Sequence, residues 1–295
     1  MILPKRIILS RKGFDSSAGG CASPILPDGT MFSVPVPESQ DHTGSTKYED
    51  LGRQGQTSLP QKLMTSRGRA VALSGPAHLD PDIRPGLRSL AAQRRCSPKL
   101  LLYGQNDGSQ THLTDQGVQQ GDLFLFFGWF RQTEWAGKNL RYMRGASDKH
   151  VIWGWLEVGQ LHPIPWNGPI PQALESARHH PHLECVNRKT NCVYQAAESL
   201  SFNPQFGGAG IFNPYSHELC LSAPKQPLRS HWELPAFFRR TEMTHVPWDK
   251  WSTKGDSMYG QSPGRGQEFV FRTEPIKTDI EAWLDGLFQH AEEKS

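Results

Sequence analysis

Two polar loops in this sequence place several acidic and basic side chains within a few residues. The first loop follows the apolar run at 7–9 and contains Arg11, Lys12, Asp15 and Ser16. The planar guanidinium of Arg11 suits phosphate or carboxylate, and the Lys12 ammonium acts as a point charge. Asp15 could serve as a general base or bind a cation, and Ser16 offers a hydroxyl to a substrate. The alternative is a capped turn, in which Asp15 and Ser16 bond nearby N–H groups and Arg11 forms a surface ion pair.

The second loop is the run His78-Leu79-Asp80-Pro81-Asp82. His78 and Asp80 are candidates for acid–base catalysis, because neighbouring titratable groups can take separate acid and base roles. Asp80 and Asp82 are candidate ligands for a divalent metal, which favours oxygen donors. Two ligands do not complete the coordination of such an ion, so the other donors would come from elsewhere in the chain. A solvated turn is the alternative interpretation.

A third loop precedes the apolar run at 269–271 and ends in Gln267 and Glu268. The amide of Gln267 could read the edge of a base, and Glu268 could act as an acid or a base. A simple turn before an edge strand explains the same residues.

Aromatic side chains are the remaining binding candidates. Trp153 and Trp155 alternate with Ile152, so a strand would place both indoles on one face. Bases stack on such rings for roughly 1–3 kcal/mol each, and Arg131 could meet a phosphate. Core packing is the default explanation, because these residues belong to the most apolar segments of the chain.

A run of histidines and cysteines suggests zinc at first sight: His179, His180, His182, Cys185 and Cys192. Their spacing matches none of the C-x₂₋₄-C or H-x₃₋₅-H ligand pairs of structural zinc sites. We therefore expect a polar helix end here rather than a metal site.

The composition narrows the class of protein. The 295 residues carry a net charge of +3, which is too small for a protein that coats nucleic acid along its length. Five scattered cysteines predict reduced thiols. There is no apolar run of about 18 residues, and the first ten residues are too short and polar for a secretion signal. We expect a soluble cytoplasmic protein without a membrane segment.

Hydrophobic patterning predicts an α+β fold, with a mostly antiparallel twisted sheet or partial barrel, peripheral helices and a C-terminal helix. Asp28-Gly29 between two apolar stretches predicts a hairpin. Strands are predicted at 7–9, 71–73, 100–103, 121–131, 150–158, 192–194, 219–221 and 268–271, and helices at 85–95, 112–120, 172–179 and 280–291. The polar segment 38–70 predicts a flexible insertion, and we expect one domain over 1–295.

Several long motifs resemble the nucleotide modification associated domain 3 family. They are Ser10-Arg11-Lys12-Gly13-Phe14-Asp15-Ser16, Pro24-Ile25, Pro27-Asp28-Gly29, His78-Leu79-Asp80-Pro81-Asp82, Gly121-Asp122-Leu123-Phe124-Leu125-Phe126-Phe127-Gly128-Trp129-Phe130 and Gly266-Gln267-Glu268-Phe269-Val270. The resemblance implies a role in bacterial or phage DNA base modification, with a nucleotide or DNA as partner and other modification proteins as further partners. A second resemblance concerns fold, because the paired strands at 121–131 and 150–158 look like those of PUA-like barrels, which hold modified or flipped bases.

Three functions follow as hypotheses. The first is an enzyme that acts on a nucleotide or flipped base, with Asp15, Asp80, Glu268 and His78 as catalytic candidates and a divalent metal as an option. The second is a non-catalytic reader of modified bases, whose pocket would contain Trp153, Trp155 and Gln267. The third is a scaffold of a DNA modification system. The excess of acids, bases and cations in three separate loops favours the enzyme.

Overall fold

In the computed structural model, residues 2–38, 46–51, 72, 74–84, 100–184, 188–264 and 268–291 are described. This part of the chain contains fourteen strands. The first seven are β1 (Arg6–Arg11), β2 (Ser23–Ile25), β3 (Val36–Pro37), β4 (Ala77–His78), β5 (Leu102–Asn106), β6 (Leu123–Ala136) and β7 (Asn139–Tyr142). The others are β8 (Lys149–Pro163), β9 (Asn191–Ala196), β10 (Ala209–Ile211), β11 (His231–Pro235), β12 (Ser252–Lys254), β13 (Ser257–Gln261) and β14 (Glu268–Arg272).

One nine-stranded sheet dominates the fold. Its main path runs β14-β1-β6-β8-β9-β5, with β2 and β7 also paired to β6 and β10 paired to β8. The β1–β6 and β2–β6 pairs are parallel and the other pairs of this sheet are antiparallel. The prediction of an α+β fold that is mainly sheet is therefore confirmed. The described strands do not pair into a closed barrel.

The long strands β6 and β8 form the centre of this sheet, as the apolar runs at 121–131 and 150–158 predicted. They pair antiparallel from Leu123↔Glu157 to Phe130↔Lys149. The register shifts between Phe126 and Phe127, whose partners are Gly154 and Ile152, so Trp153 is the extra residue of a β-bulge.

This bulge corrects the prediction that Trp153 and Trp155 share a face. Regular alternation would place them on one side, but the extra residue breaks the period of two. The Trp153 ring lies 5.8 Å from Phe126, whereas Trp155 lies 4.8 Å from Phe212. The two indoles therefore pack against different side chains.

Three α-helices occur in the described part: α1 (Asp107–Asp115), α2 (Pro181–Glu184) and α3 (Lys277–Phe288). The segments Tyr48–Asp50, Gln172–Ala177, His217–Leu219, Ala236–Arg240, Trp248–Lys250 and Glu274–Ile276 are 3₁₀ turns. Helix α1 starts five residues before the predicted start at 112 and is followed by Gly117 at φ +67°. The predicted strand at 219–221 is reduced to a single β-bridge between Cys220 and Val151, because Leu219 ends a 3₁₀ turn. The predicted helix at 85–95 and most of the predicted strand at 71–73 lie outside the described residues.

The Asp28-Gly29 hairpin is present in a modified form. Leu26 and Thr30 are joined by a backbone hydrogen bond of 2.8 Å, and Ile25 bridges to Met31. Only Gly29 of the Asp-Gly pair has a positive φ, of +85°. Pro27 and Asp28 are therefore the central residues, and Gly29 follows as the bulge position.

A small apolar cluster positions the loop that carries His78 and Asp80. It contains Phe14, Tyr48 and Leu79, all nearly fully buried. The Tyr48 hydroxyl donates to the Pro35 carbonyl at 2.8 Å, and Ala77 N–H donates to Thr46 O at 2.8 Å. Residues 46–51 belong to the segment 38–70 in which an insertion is predicted, and this part of it is packed. Residues 39–45 and 52–70 lie outside the described part.

No helix in the described ranges combines the length and apolar character needed to cross a bilayer.

Helix α3 packs its apolar stripe against the sheet, as the spacing of its residues predicted. Phe288 is 3% exposed, and its ring centroid lies 4.9 Å from that of Trp155 and 5.2 Å from that of Phe212.

We expect Phe288→Ala to lower the free energy of unfolding by about 3–5 kcal/mol, because it leaves a cavity in an aromatic cluster. Chemical denaturation measures this change. Asp285→Ala, on the exposed face of the same helix, should change it by less than about 0.5 kcal/mol. Equal effects of the two changes would contradict the docking.

Candidate functional site

Asp80 is a buried carboxylate at which several segments of the chain meet. Its side chain is 1% exposed and follows strand β4. Its Oδ1 accepts a hydrogen bond of 2.6 Å from the backbone N–H of Gly104 in β5. A buried charge is stable only where donors and cations surround it. The neighbours of Asp80 therefore define the site.

Lys12 supplies a positive charge next to Asp80. The residue follows β1, and its Nζ lies 3.4 Å from Asp80 Oδ2 and 4.5 Å from the ring centroid of Tyr103. The ammonium thus interacts with a carboxylate and with the face of an aromatic ring. Burial would raise the pKa of Asp80, but the Lys12 ammonium and the neighbouring His180 outweigh it and hold that pKa below its ordinary value. Asp80 is a permanent anion.

Two histidines approach Asp80 from the start of helix α2. His182 Nδ1 lies 3.1 Å from Asn191 Oδ1, and the Asn191 amide group donates to the His182 carbonyl at 2.7 Å. That second bond fixes the orientation of the Asn191 amide, so its oxygen faces His182 and can only accept. Nδ1 of His182 therefore donates, and Nε2 holds the lone pair. His182 Nε2 lies 3.8 Å from Asp80 Oδ2, and His180 Nε2 lies 3.5 Å from Asp80 Oδ1. Burial lowers the pKa of His182 to about 3, so the ring is neutral.

His78 completes the group from strand β4. Its Nδ1 lies 2.5 Å from Glu38 Oε2, so in the neutral ring Nδ1 donates to this carboxylate and Nε2 holds the lone pair. The ligand atoms of His78, Asp80 and His182 all lie within 4.8 Å of one another. Two imidazoles and one carboxylate are a donor set that binds transition metals.

Gly104 makes this arrangement possible. A Cβ at this position would lie 2.2 Å from Cγ of His182, so only glycine lets the imidazole pack against β5. The same residue supplies the N–H that binds Asp80.

Glu268 is a second buried carboxylate, joined to the first through Tyr103. Its Oε1 accepts hydrogen bonds from Gln105 Nε2 at 2.6 Å, the Tyr103 hydroxyl at 2.9 Å and Ser10 Oγ at 3.1 Å. Its Oε2 is buried and has no hydrogen-bond partner among the described residues. Burial raises the pKa of Glu268, although Lys12 and the three donors oppose this.

A cavity of about 460 Å³ opens beside Glu268. Gln105, His112, His245 and the first residues of helix α1 also line it. The His112 and His245 rings lie 4.6 Å apart, and burial followed by the charge of His245 lowers the pKa of His112. The volume falls in the range of roughly 300–1,000 Å³ typical of small-molecule sites.

The family model described as nucleotide modification associated domain 3 matches residues 6–272. The chain belongs to this family. The family is associated with nucleotide modification systems, and its name specifies no reaction. No curated protein and no solved structure matches the chain. The match extends from β1 to β14 and so includes every residue of the site, whereas helix α3 lies beyond it.

Of the residues predicted from sequence, this domain brings together Lys12, His78, Asp80 and Glu268, the last through Tyr103. Arg11, on the opposite side of β1 from Ser10 and Lys12, donates to the carbonyls of Pro263 and Gly264 at 3.1 and 3.3 Å. It therefore holds residues 263–264, which follow β13.

Asp15 and Ser16 lie in a capped turn, the alternative that the sequence left open. Asp15 Oδ1 accepts hydrogen bonds from Ser17 N, Ser17 Oγ and Ala18 N at 2.7–2.8 Å. Ser16 Oγ accepts a hydrogen bond of 2.6 Å from Arg229, whose guanidinium lies 4.1 Å from the Trp129 ring centroid. These residues form a group separate from Asp80.

The other binding candidates are also dispersed. Arg131 lies 3.8 Å from Asp148, and Trp155 is packed in the core with its indole N–H donating to Gly207 O at 3.0 Å. The guanidinium of Arg84 lies 5.0 Å from the ring centroid of Trp153. Gln267 lies outside the described residues.

Asp82, the second residue of the predicted metal pair, pairs with Leu102 through its backbone and is not part of the group formed by His78, Asp80 and His182. His182, whose spacing does not match a zinc motif, is the third member of that group. Burial raises the pKa of Cys192 to about 12, which keeps it a thiol, and Cys185 lies outside the described residues. Sequence reasoning also missed Tyr103, Gln105 and His112, because no spacing rule singles them out.

We expect Gly104→Ala to lower the free energy of unfolding by about 1–3 kcal/mol, because the methyl group overlaps the His182 ring. Gly108→Ala, in helix α1, meets nothing within 4 Å and should instead stabilise the domain by about 0.4–1 kcal/mol. Chemical denaturation measures the free energy of unfolding of both variants. A Gly104→Ala domain as stable as the parent would contradict the close packing of His182.

Glu268 should make stability depend on pH. Its pKa in the folded state is raised, so its favourable contribution is complete below the unfolded value of about 4.3 and is lost as the pH rises through the folded value. Glu268→Gln cannot ionise, so its stability relative to the parent should rise with pH from 5 to 8. Denaturation curves across this range measure the difference. The exposed control Glu242→Gln should show no such trend, and a constant difference for Glu268→Gln would refute the prediction.

Proposed function

We propose that this domain is an enzyme that acts on a nucleotide or on a base flipped out of DNA, and that the cavity beside Glu268 receives the base. The observation that carries the proposal is the unequal hydrogen bonding of the two carboxyl oxygens of Glu268. One of its oxygens accepts three hydrogen bonds, while the other is buried without a partner among the described residues and the residue borders the cavity. A polar atom left in this way is suited to a ligand that supplies the missing donor.

The chemistry of the cavity suits a nucleobase. A carboxylate accepts from the exocyclic amine of cytosine, and a side-chain amide such as that of Gln105 matches a base edge. A carboxyl group with a raised pKa is also suited to proton transfer near neutral pH, which is the task of a general acid or base. His112, with a lowered pKa, is a neutral imidazole that can accept or donate a proton.

The charge of the chain supports a small substrate. A net charge of +3 favours a nucleotide or a short contact with DNA over a long DNA track. An enzyme acting on a base in duplex DNA must extrude it from the stack, and a small enclosed pocket is the means by which such enzymes hold it.

A non-catalytic reader is the second candidate. It is favoured by two arginine–indole pairs, Arg229 with Trp129 and Arg84 with Trp153, at 4.1 and 5.0 Å. The indole N–H groups of Trp129 and Trp153 are buried and have no partner among the described residues, so both could donate to an anionic ligand. A PUA-like core and a scaffold role among other modification proteins remain predictions from the sequence.

Conversion and binding should be measured on the same samples. The domain is incubated with each deoxynucleoside 5′-monophosphate and with a single-stranded oligonucleotide, in a bacterial lysate from which other nucleotides have been removed. Mass spectrometry detects altered nucleosides, and calorimetry measures binding. We expect Glu268→Gln to retain binding within a few fold and to lose conversion by about 10²–10⁴-fold, the usual contribution of acid–base catalysis.

Glu242→Gln provides the matched control, because it makes the same change on the exposed surface and should convert substrate like the parent. Full conversion by Glu268→Gln would refute the role given to this residue. Binding without conversion by the parent would refute the enzyme and support the reader. Absence of both would support the scaffold.

A further inference from the structure

We propose that His78, Asp80 and His182 bind a divalent first-row transition metal ion. The inference goes beyond the proposed function and does not depend on the cavity beside Glu268. Its basis is the geometry of three side chains that come from two distant segments of the chain.

The three donors are close enough for one ion. Their ligand atoms lie within 4.8 Å of one another, and Asp80 Oδ2 lies 3.8 Å from His182 Nε2. Bonds of about 2.0–2.1 Å to a tetrahedral ion would place ligand atoms roughly 3.3 Å apart. Small side-chain rotations therefore suffice to close the site.

The tautomers of both histidines leave acceptors facing one another. Nδ1 of His182 donates to Asn191, so its Nε2 lone pair lies on the side of Asp80, 3.8 Å from Oδ2. Nδ1 of His78 donates to Glu38, so Nε2 is the nitrogen of that ring with a lone pair to offer an ion. A lone pair that faces a carboxylate in a buried place is unfavourable unless a cation lies between them. A metal ion satisfies all three acceptors together.

The outer partners are those expected of metal ligands. A histidine that binds a metal usually donates its other N–H to a carboxylate or carbonyl, which fixes the ring and raises its basicity. Glu38 is such a carboxylate for His78, and Asn191 is such a carbonyl for His182. The Asn191 amide is itself held by the His182 carbonyl at 2.7 Å.

One further buried group points at the site. His180 is 2% exposed, and its Nε2 has no hydrogen-bond partner among the described residues although it lies 3.5 Å from Asp80 Oδ1. Its Nδ1 accepts from the backbone N–H of His182, so Nε2 carries the proton and faces the carboxylate from outside the three donors. It therefore orients Asp80 without competing as a ligand.

The donor set selects the class of ion. Two imidazole nitrogens and one carboxylate suit zinc, iron, cobalt or nickel, whereas magnesium and calcium prefer oxygen ligands. Three protein ligands also leave coordination positions open, as in catalytic rather than structural sites. Lys12, 3.4 Å from Asp80 Oδ2, balances the carboxylate and would compete with the ion.

The test is metal binding to the full chain without any nucleotide. After dialysis against a chelator, Co²⁺ and Zn²⁺ are titrated by calorimetry, and the visible absorption of Co²⁺ reports its coordination. We expect one ion per chain and no binding of Mg²⁺ or Ca²⁺. His182→Ala and Asp80→Asn should abolish binding, and Asn191→Ala should weaken it by about 10–100-fold. Lys12→Met should strengthen binding, a gain that misfolding cannot produce.

Two neighbouring residues serve as matched controls. Asp82→Asn changes the other carboxylate of the same loop, and His179→Ala changes a half-buried histidine that lies 3.4 Å from Glu184. Both variants should bind Co²⁺ like the parent. Circular dichroism checks that every variant is folded.

Folded parent protein that takes up no Co²⁺ or Zn²⁺ would overturn the proposal, and so would binding that survives both His182→Ala and Asp80→Asn. Either result leaves the test of Glu268 unaffected, because Glu268→Gln should bind Co²⁺ normally. Conversely, a failure to convert nucleotides would leave the metal measurement intact.

Discussion

The burial of Asp80 constrains the rest of the site. A carboxylate removed from water loses a large hydration energy, which donors and cations of the protein must replace. Here the replacements come from separate parts of the chain: the ammonium of Lys12 after β1, the N–H of Gly104 in β5, and the imidazole of His180 just before α2. Asp80 can be buried only when these segments are in place, so the site and the fold form together.

The curvature of the sheet brings these segments within reach. β5 and β14 are the two ends of the main strand path, yet Tyr103 and Gln105 of β5 both donate to Glu268 of β14. Side-chain hydrogen bonds thus join two edges that the described backbone does not pair. These bonds place Gln105 and Glu268 side by side in the lining of the cavity.

The sequence predicted the parts of this arrangement that depend on local pattern. The apolar runs that form β1, β6, β8 and β14 identified the central strands, and the stripe of the last helix identified its docking face. The loops with Lys12, Asp80 and Glu268 were identified by residue type. The sequence could not predict that His182 would join Asp80, because the two residues are a hundred positions apart and no motif links them.

Two misjudged features have local physical causes. A single extra residue in β8 rotates Trp153 relative to Trp155, and nothing in the alternation of the sequence predicts a bulge. Asp15 and Asp80 have the same side chain and similar loop contexts, but one accepts three local donors and the other is buried beside Lys12. Only the packing around each carboxylate distinguishes a turn cap from a site.

The two buried carboxylates on either side of Tyr103 have opposite properties. The phenol ring stacks under the Lys12 ammonium, and its hydroxyl donates to Glu268, so Tyr103 separates the cation from the second acid. Lys12 lies in direct contact with Asp80, whose pKa is lowered, whereas the direct partners of Glu268 are neutral donors and its pKa is raised. One carboxylate is therefore a fixed anion suited to holding a cation, and the other can exchange a proton. Such a division between neighbouring acids is what acid–base chemistry requires, and here it arises because burial outweighs the opposing groups at Glu268 but not at Asp80, which Lys12 contacts directly.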